Sequence, residues 1–504
     1  MTSLRSLPYE ILQKVFQNLS EESRNWLRDW RLVSRTFNDL IVPILFAKEI
    51  HGPSLSQLSR CLAITSDLKA GVTDVFSSTK HLAVTVDASD DTYLQSFVEL
   101  WKLMLPKMSN IRSLHWGYLP ADCHPDHWVD TFVRDIGTRS TLTDLKLGIA
   151  AAPPYSGFSL EPLSNLTTVE IRWSINYDAL NGDSDAERRW QGRSTEFISQ
   201  VSALLERCPT LQSFAFSADY NPHRRALTSI TLASLLDRLR TLSTPSRKLR
   251  RLVTKEVIVH VDDIRSNLHH LHHLEELVLE ADPNPSAFTH FGDICATLQR
   301  NDIKIKNLLV GNLQHSGVSQ YIASYQGLEK LIVRKLDRTD DSPVVIGGFI
   351  TSLQNHSKTL KWLEFDVDRL SPWPQGIVAH LQSQAEQYVA LQTLRIRLCV
   401  TLDDTNTVEC QILVRHAMLR FDERLQMFTV MQTELLETAM RLQALCVLEC
   451  PSIRYKTGSG ELEDYIELRR GVNNPSRIYT FMKGIVERFK RAHEPKFVIK
   501  LFQN

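Results

Sequence analysis

The side chains best equipped for chemistry fall in two groups. Cys123, His124, Asp126 and His127 crowd into CHPDHW, and His269, His270, His272 and His273 lie in LHHLHHL. Thiolate, imidazole and carboxylate are the donors of zinc and other transition-metal sites, so both groups are candidates for metal binding. The first has no second ligand cluster at a recognised spacing. The second falls on a predicted helix, whose winding turns nearly consecutive imidazoles to different sides. Neither pattern supports a metal centre, and no metal or other cofactor is expected.

Covalent chemistry has as little support. Ser77-Ser78-Thr79-Lys80 and Lys456-Thr457-Gly458 resemble the short strings of the serine penicillin-binding enzymes, but no catalytic domain of that kind is evident between them. There is no glycine-rich phosphate loop ending in Gly-Lys-Ser/Thr and no G-x-S-x-G nucleophile elbow. A non-catalytic protein is expected. An enzyme with its site in the diverged C-terminal third is the remote alternative.

Composition narrows the class further. Lys plus Arg and Asp plus Glu each number 58, so the chain lacks the basic surplus of a surface built to grip nucleic acid or anionic lipid. Neither nucleic acid nor membrane is expected as a partner. No apolar run approaches the ~20 residues of a membrane span, and the N-terminus lacks the layout of a secretory signal. The eight cysteines include no C-x-x-C pair and read as reduced thiols of an intracellular protein, cytoplasmic, nuclear or both. RFKRA at 488–492 reads equally as a solvated helix face and as an import signal.

What must position any binding residue is a repeated element. An apolar residue, two others, a second apolar residue, one other and a third recur from Ile111-Arg112-Ser113-Leu114 onward. The copies are LTDLKL (142–147), LTTVEI (166–171), LQSFAF (211–216), LRRLVT (249–254), LEELVL (274–279) and IKNLLV (305–310), then LEKLIV (328–333), LKWLEF (360–365), LQTLRI (391–396) and LQALCV (442–447). Amphipathic helical stretches precede most of them, such as TEFISQVSALLERC and GIVAHLQSQAEQYVA. These segments resemble the L-x-x-L-x-L strand of a leucine-rich repeat, which implies parallel strands alternating with outer helices. The second apolar positions are 23 to 51 residues apart, so most copies exceed the ~20–29 residues of a regular repeat. The asparagine usual after the strand is also missing from most of them.

The expected fold class is α/β: a short all-α N-terminal module over 1–50, an irregular leucine-rich-repeat-like solenoid, or horseshoe, over 51–452, and a cap over 453–504. The polar stretch 176–195 reads as a loop, as do 222–229 and 338–343. The cap reads as a hairpin about Gly458-Ser459-Gly460, a helix and a final strand, KFVIKLF.

Residues between and just after the inward apolar positions project onto the concave face of such a repeat. They include Lys146, Glu170, Arg172, Glu280, Arg334, Glu364, Asp366, Arg395 and Arg397. Strands ~4.8 Å apart bring basic, acidic and doubly basic rungs at 334, 364–366 and 395–397 into range of mutual ion pairing. The same residues could instead receive a target protein. Glu170, Arg172, Arg334, Glu364, Asp366, Arg395 and Arg397 are the candidate contacts.

The N-terminal fifty residues raise a different question. Leu7, Ile11, Leu12, Val15, Phe16 and Leu19 form one broad helical face, with Pro8 suited to the first turn. A second amphipathic segment carries Trp26, Leu27, Trp30, Leu32, Val33, Phe37, Leu40 and Ile41. Helices this short bury little surface among themselves and need an outside surface, either the rest of the chain or a partner. Leu7-Pro8-Tyr9-Glu10-Ile11-Leu12, then Val15-Phe16 and Leu19, then Leu32-Val33-Ser34-Arg35 and Phe37, together resemble the F-box family. The likeness covers residues 5–46, with Ser34 where many members have cysteine.

That resemblance implies binding. F-box proteins join a Skp-type adaptor, which links them to the cullin and RING subunits of a ubiquitin ligase. The adaptor-facing positions it implies are Leu7, Pro8, Ile11, Val15, Phe16, Leu32, Val33 and Phe37. The expected function is therefore the substrate-recognition subunit of a Skp–cullin–F-box ligase, with an unknown target held by the solenoid. The alternative is an interaction scaffold that binds an adaptor without entering a ligase.

Overall fold

A computed structural model describes residues 50–51, 66, 69, 79–85, 99–119, 128–139, 141–151, 159–175, 184–219, 230–240, 248–280, 291–310, 316–336, 343–368, 373–402, 447–450, 453–457 and 498–501. The adaptor-facing positions Leu7, Pro8, Ile11, Val15, Phe16, Leu32, Val33 and Phe37 lie outside them, as do residues 123–127, the loop expected at 222–229 and all of the loop expected at 338–343 except Pro343, which begins a helix. The chain divides into two compact units, Met1–Arg251 with Lys255–Ile258, and Leu252–Thr254 with Val259–Asn504.

In the first unit the strands are β1 (Ile50–His51), β2 (His81–Thr85), β3 (Ser113–Leu119), β4 (Asp144–Ala151), β5 (Thr168–Ile175) and β6 (Ser213–Asp219). Each pairs in parallel with the next. Its helices include α1 (Trp128–Gly137), α2 (Ser184–Glu206) and α3 (Leu232–Arg240), and α2 packs against α3. Strand β7 (Arg251–Lys255) falls at the division between the units.

The second unit carries β8 (Glu276–Glu280), β9 (Asn307–Val310), β10 (Lys330–Leu336), β11 (Trp362–Asp368), β12 (Thr393–Leu402), β13 (Val447–Cys450), β14 (Ile453–Thr457) and β15 (Val498–Leu501). Its helices are α4 (Val261–Ser266), α5 (Leu268–Leu271), α6 (Phe291–Arg300), α7 (Ser316–Ala323), α8 (Pro343–Gln354) and α9 (Trp373–Gln384). Helices α6 to α9 pack each on the next, as do β8 to β13. The described chain is thus α/β with parallel strand pairing throughout, consistent with a leucine-rich-repeat-like architecture.

The second apolar residue of each copy sets the register. Leu82, Leu114, Leu145, Val169 and Phe214 are successive partners in the first unit. Leu277, Leu308, Leu331, Leu363 and Leu394 are successive partners in the second. All are buried, and each fully buried leucine contributes about 2 kcal/mol of apolar burial. A one-residue slip would turn every one of them to the opposite face, so the pattern that repeats in sequence also fixes the pairing.

With the usual asparagine absent, main chain and varied side chains close the corners. One carbonyl per copy accepts two consecutive N–H groups from the next. Lys80 O takes Arg112 and Ser113, Arg112 O takes Thr143 and Asp144, and Thr143 O takes Thr167 and Thr168. The same pairs recur at Glu275 O, Lys306 O, Glu329 O and Lys361 O in the second unit. The threonine before a copy donates to the first apolar carbonyl of the copy before, Thr141 Oγ1 to Ile111 O at 2.8 Å and Thr359 Oγ1 to Leu328 O at 2.9 Å. Arg207 donates to Leu160 O at 2.9 Å, Tyr321 Oη donates to Ile303 O at 2.8 Å, and Tyr325 Oη donates to Ile305 O at 2.9 Å. These donors give buried carbonyls a partner in place of water, and Leu160 O also accepts the Leu163 N–H. Gly327, at φ 105, makes the turn into β10 that a side chain would strain.

The fold corrects several sequence expectations. The expected loop at 176–195 includes the first half of α2, which starts at Ser184. Its Ala, Glu, Arg and Gln residues favour helix and no proline interrupts them, so the polar stretch extends the buried helix of Phe197, Val201, Leu204 and Leu205. The copy at LQALCV is displaced by three residues. Leu394 pairs with Leu448, which therefore holds the second apolar position expected at Leu445. Strand β2 had no counterpart in the pattern because the buried Thr79 stands where the first leucine would be. In the cap, by contrast, the expected final strand is present as β15, paired in parallel with β13; β14, the first run of the expected hairpin, pairs in parallel with β12, while the hairpin's second run and the closing helix lie outside the described residues.

Candidate functional site: the open face of the sheet

Along each strand the first, second and third apolar positions turn inward, and the residues between them occupy the opposite face, which is exposed at His115, Lys146 and Arg172 and buried at Ala215, Leu309, Ile332 and Glu364. In the first unit that face presents His115, Lys146, Glu170 and Ala215 in one register row. Beyond it run Gly148, Arg172 and Ser217. In the second unit Val278, Leu309 and Ile332 form an apolar stretch that passes into Glu364 and Arg395.

Glu364 is 1% exposed, an unusual place for a carboxylate unless it is paired. Arg395 Nη1 lies 3.4 Å from both of its oxygens, and Trp362 donates its Nε1–H to Oε2 at 3.2 Å. The Trp362 ring is flanked by Lys330 Nζ at 4.7 Å and by the Arg395 guanidinium at 5.5 Å. Period-two spacing explains the grouping, since Trp362 and Glu364 share a face of β11 and their neighbours come from β10 and β12.

The first-unit cluster differs. Arg172 donates through Nε to Glu170 Oε1 at 2.9 Å, and its Nη2 lies 2.7 Å from the same oxygen. Lys146 Nζ approaches the other oxygen at 3.5 Å. Burial alone would raise the Glu170 pKa, but the Lys146 charge together with Arg172 outweighs it and holds the carboxyl below the ordinary range. The Glu170 side chain is 13% exposed, whereas that of Arg172 is 73% exposed.

The remaining expected contacts are placed by backbone register. Asp366 and Arg397 are direct partners across β11 and β12. Arg334 lies where the β10–β11 register shifts, between Val333 and Leu336. The structure therefore brings Glu364 to Arg395 and Glu170 to Arg172, in separate units. Sequence reading missed Lys330 and Trp362. Their signal was present, since each lies two residues before an open-face position in its own copy.

Of the histidines singled out for metal binding, His270 is buried with its ring 3.8 Å from that of His269, while His272 and His273 are exposed. Among the described residues no three His, Cys, Asp or Glu side chains converge as metal ligands, and no helix is long and apolar enough to cross a membrane. Compared with known proteins, the chain matches no family model, and no curated protein matches it significantly.

Proposed function

We propose that this chain is the substrate-recognition subunit of a Skp–cullin–F-box ubiquitin ligase. The observation that carries the reading is the ordered set Leu7-Pro8-x-Glu10-Ile11, Val15-Phe16 and Leu32-Val33-Ser34-Arg35-x-Phe37 within residues 5–46. An apolar helical face of that kind, ahead of a parallel repeat with one open sheet face, suits a receptor that docks an adaptor at one element and a target at another. Its contribution to ubiquitin transfer is proximity: the held target gains effective concentration near a ubiquitin-loaded enzyme. The chain itself supplies no reacting group.

Co-purification of the full chain with Skp-type adaptor and cullin tests this, comparing wild type with Leu7→Ala/Pro8→Ala. Wild type is expected to recover both and the double variant neither, since truncating a buried anchor costs ~2 kcal/mol or more of binding. Failure of wild type to recover adaptor overturns the reading. Adaptor without cullin favours a non-ligase scaffold.

A further inference from the structure

Of the two charged clusters, the one in the first unit presents the more exposed cation, with the Arg172 side chain 73% exposed against 16% for Arg395. In the second unit, Glu364 is taken up by Arg395 and Trp362, and both cations lie against the indole. The pairs at the strand starts, Lys306 with Glu275 and Lys361 with Glu329, are likewise mutual.

In the first unit two cations share one carboxylate. Arg172 spends Nε and Nη2 on a single oxygen of Glu170, which fixes the guanidinium plane and, among the described residues, leaves the Nη1 edge without a partner. Its register neighbours, Gly148 on β4 and Ser217 on β6, are too short to cover it. Lys146, 49% exposed, stands one strand away. Beside Glu170 the next position along the row is Ala215, so the shelf around Arg172 is low while Arg172 itself stands clear. An arginine oriented by an internal carboxylate has already lost much of its rotamer freedom, so an incoming anion gains affinity at smaller entropic cost.

We propose that the open face of β3 to β6 docks an extended acidic segment of a partner protein, with a glutamate or aspartate of that segment on the free edge of Arg172 and a second near Lys146. This rests on the target-holding role proposed for the repeat and narrows it to one face and one chemistry. The incoming carboxylate need not displace Glu170, because it meets a different edge of the guanidinium.

The test uses the full chain and three fluorescein-labelled 12-residue peptides that differ only at two central positions, Glu-Glu, Gln-Gln or Lys-Lys. Anisotropy at low and at moderate salt reads their affinities. The Glu-Glu peptide is expected to bind about fivefold more tightly than the Gln-Gln peptide, the ratio shrinking as salt screens the contact. Arg172→Glu should abolish that preference and favour Lys-Lys. Lys361→Glu makes the same charge change in a strand-start pair and should leave the preference intact. Thermal melts confirm that each variant folds. Equal affinity for Glu-Glu and Gln-Gln overturns the proposal, as does equal loss of preference in Lys361→Glu and Arg172→Glu. Adaptor recovery is scored separately: its absence in wild type sinks the ligase reading alone, and its presence without peptide discrimination sinks the acidic-segment proposal alone.

Discussion

Replacing Glu364 by alanine should destabilise the second unit even though the residue lies on the open face of a sheet. Two unit charges 3.4 Å apart attract by about 5 kcal/mol at an effective dielectric of about 20. Desolvation of both groups offsets part of that, and the 3.4 Å separation is long for a charge-assisted hydrogen bond. Removal of Glu364 nevertheless takes its contact from the Arg395 guanidinium, whose side chain is only 16% exposed, and takes the Oε2 acceptor from the Trp362 N–H. The expected loss is about 3 kcal/mol. Glu364→Gln, which can still accept from Trp362, should lose less. Glu364→Leu combined with Arg395→Met should recover most of the loss, because neither buried charge then remains. Urea unfolding followed by hydrogen exchange over Trp362–Asp368 and Thr393–Leu402 reads the effect in the unit concerned, which matters for a chain of two units. A Glu364→Ala variant within about 0.5 kcal/mol of wild type would refute the structural role assigned to the cluster. So would a double variant no more stable than the single one.

Three further outcomes are expected. His356 accepts the Leu328 N–H at 3.2 Å through Nδ1 and donates through Nε2 to Ile322 O at 2.9 Å, an arrangement only the neutral ring allows. Burial depresses its pKa, so the folded state binds fewer protons than the unfolded one; the stability is present above the ordinary value of about 6.5 and is lost as pH falls below it. Melts at about pH 7.5 and about pH 5.5 should therefore differ more for wild type than for His356→Asn, with His380, also depressed by burial, supplying a residual slope. Tyr321→Phe should cost about 2 kcal/mol by chemical denaturation, since it strips a partner from both Ile303 O and the Ile305 N–H in a buried corner. A Cβ on Gly317 would sit 2.9 Å from the Gly292 carbonyl oxygen, so Gly317→Ala should cost about 2 kcal/mol. Gly192→Ala meets nothing within 4 Å and should stabilise α2 by about 0.5 kcal/mol, and comparable thermal shifts in the two alanine variants would contradict this packing account.

The strand copies were legible because an L-x-x-L-x-L run states both period and facing, and every second-position leucine from Leu277 to Leu394 occupies the register that pattern implies. Legibility failed where one residue broke the pattern without breaking the physics. Thr79 fills a leucine position and hid β2, and a fourth apolar residue in LQALCVL offered two frames, of which pairing with β12 selects the later. In α2, local polarity pointed to a loop while helix propensity and the buried face behind it carried the helix through.

Charge on the open face follows from sequence alone, because two-residue alternation puts Glu170 with Arg172 and Trp362 with Glu364 on one side of their strands. Which of those charges is spent internally does not. That depends on neighbours 31 residues apart in the chain, such as Glu364 and Arg395, and on whether the adjoining strands carry tall or short side chains. Parallel pairing surrounds Trp362 with Lys330 and Arg395 and sets Arg172 between Gly148 and Ser217, so Arg395 lies 16% exposed while Arg172 stands 73% exposed. The sequence determines the alternation and the period; the distances between strands decide which ions are left for a partner, because ion pairing falls off over a few ångströms and no linear pattern encodes that separation.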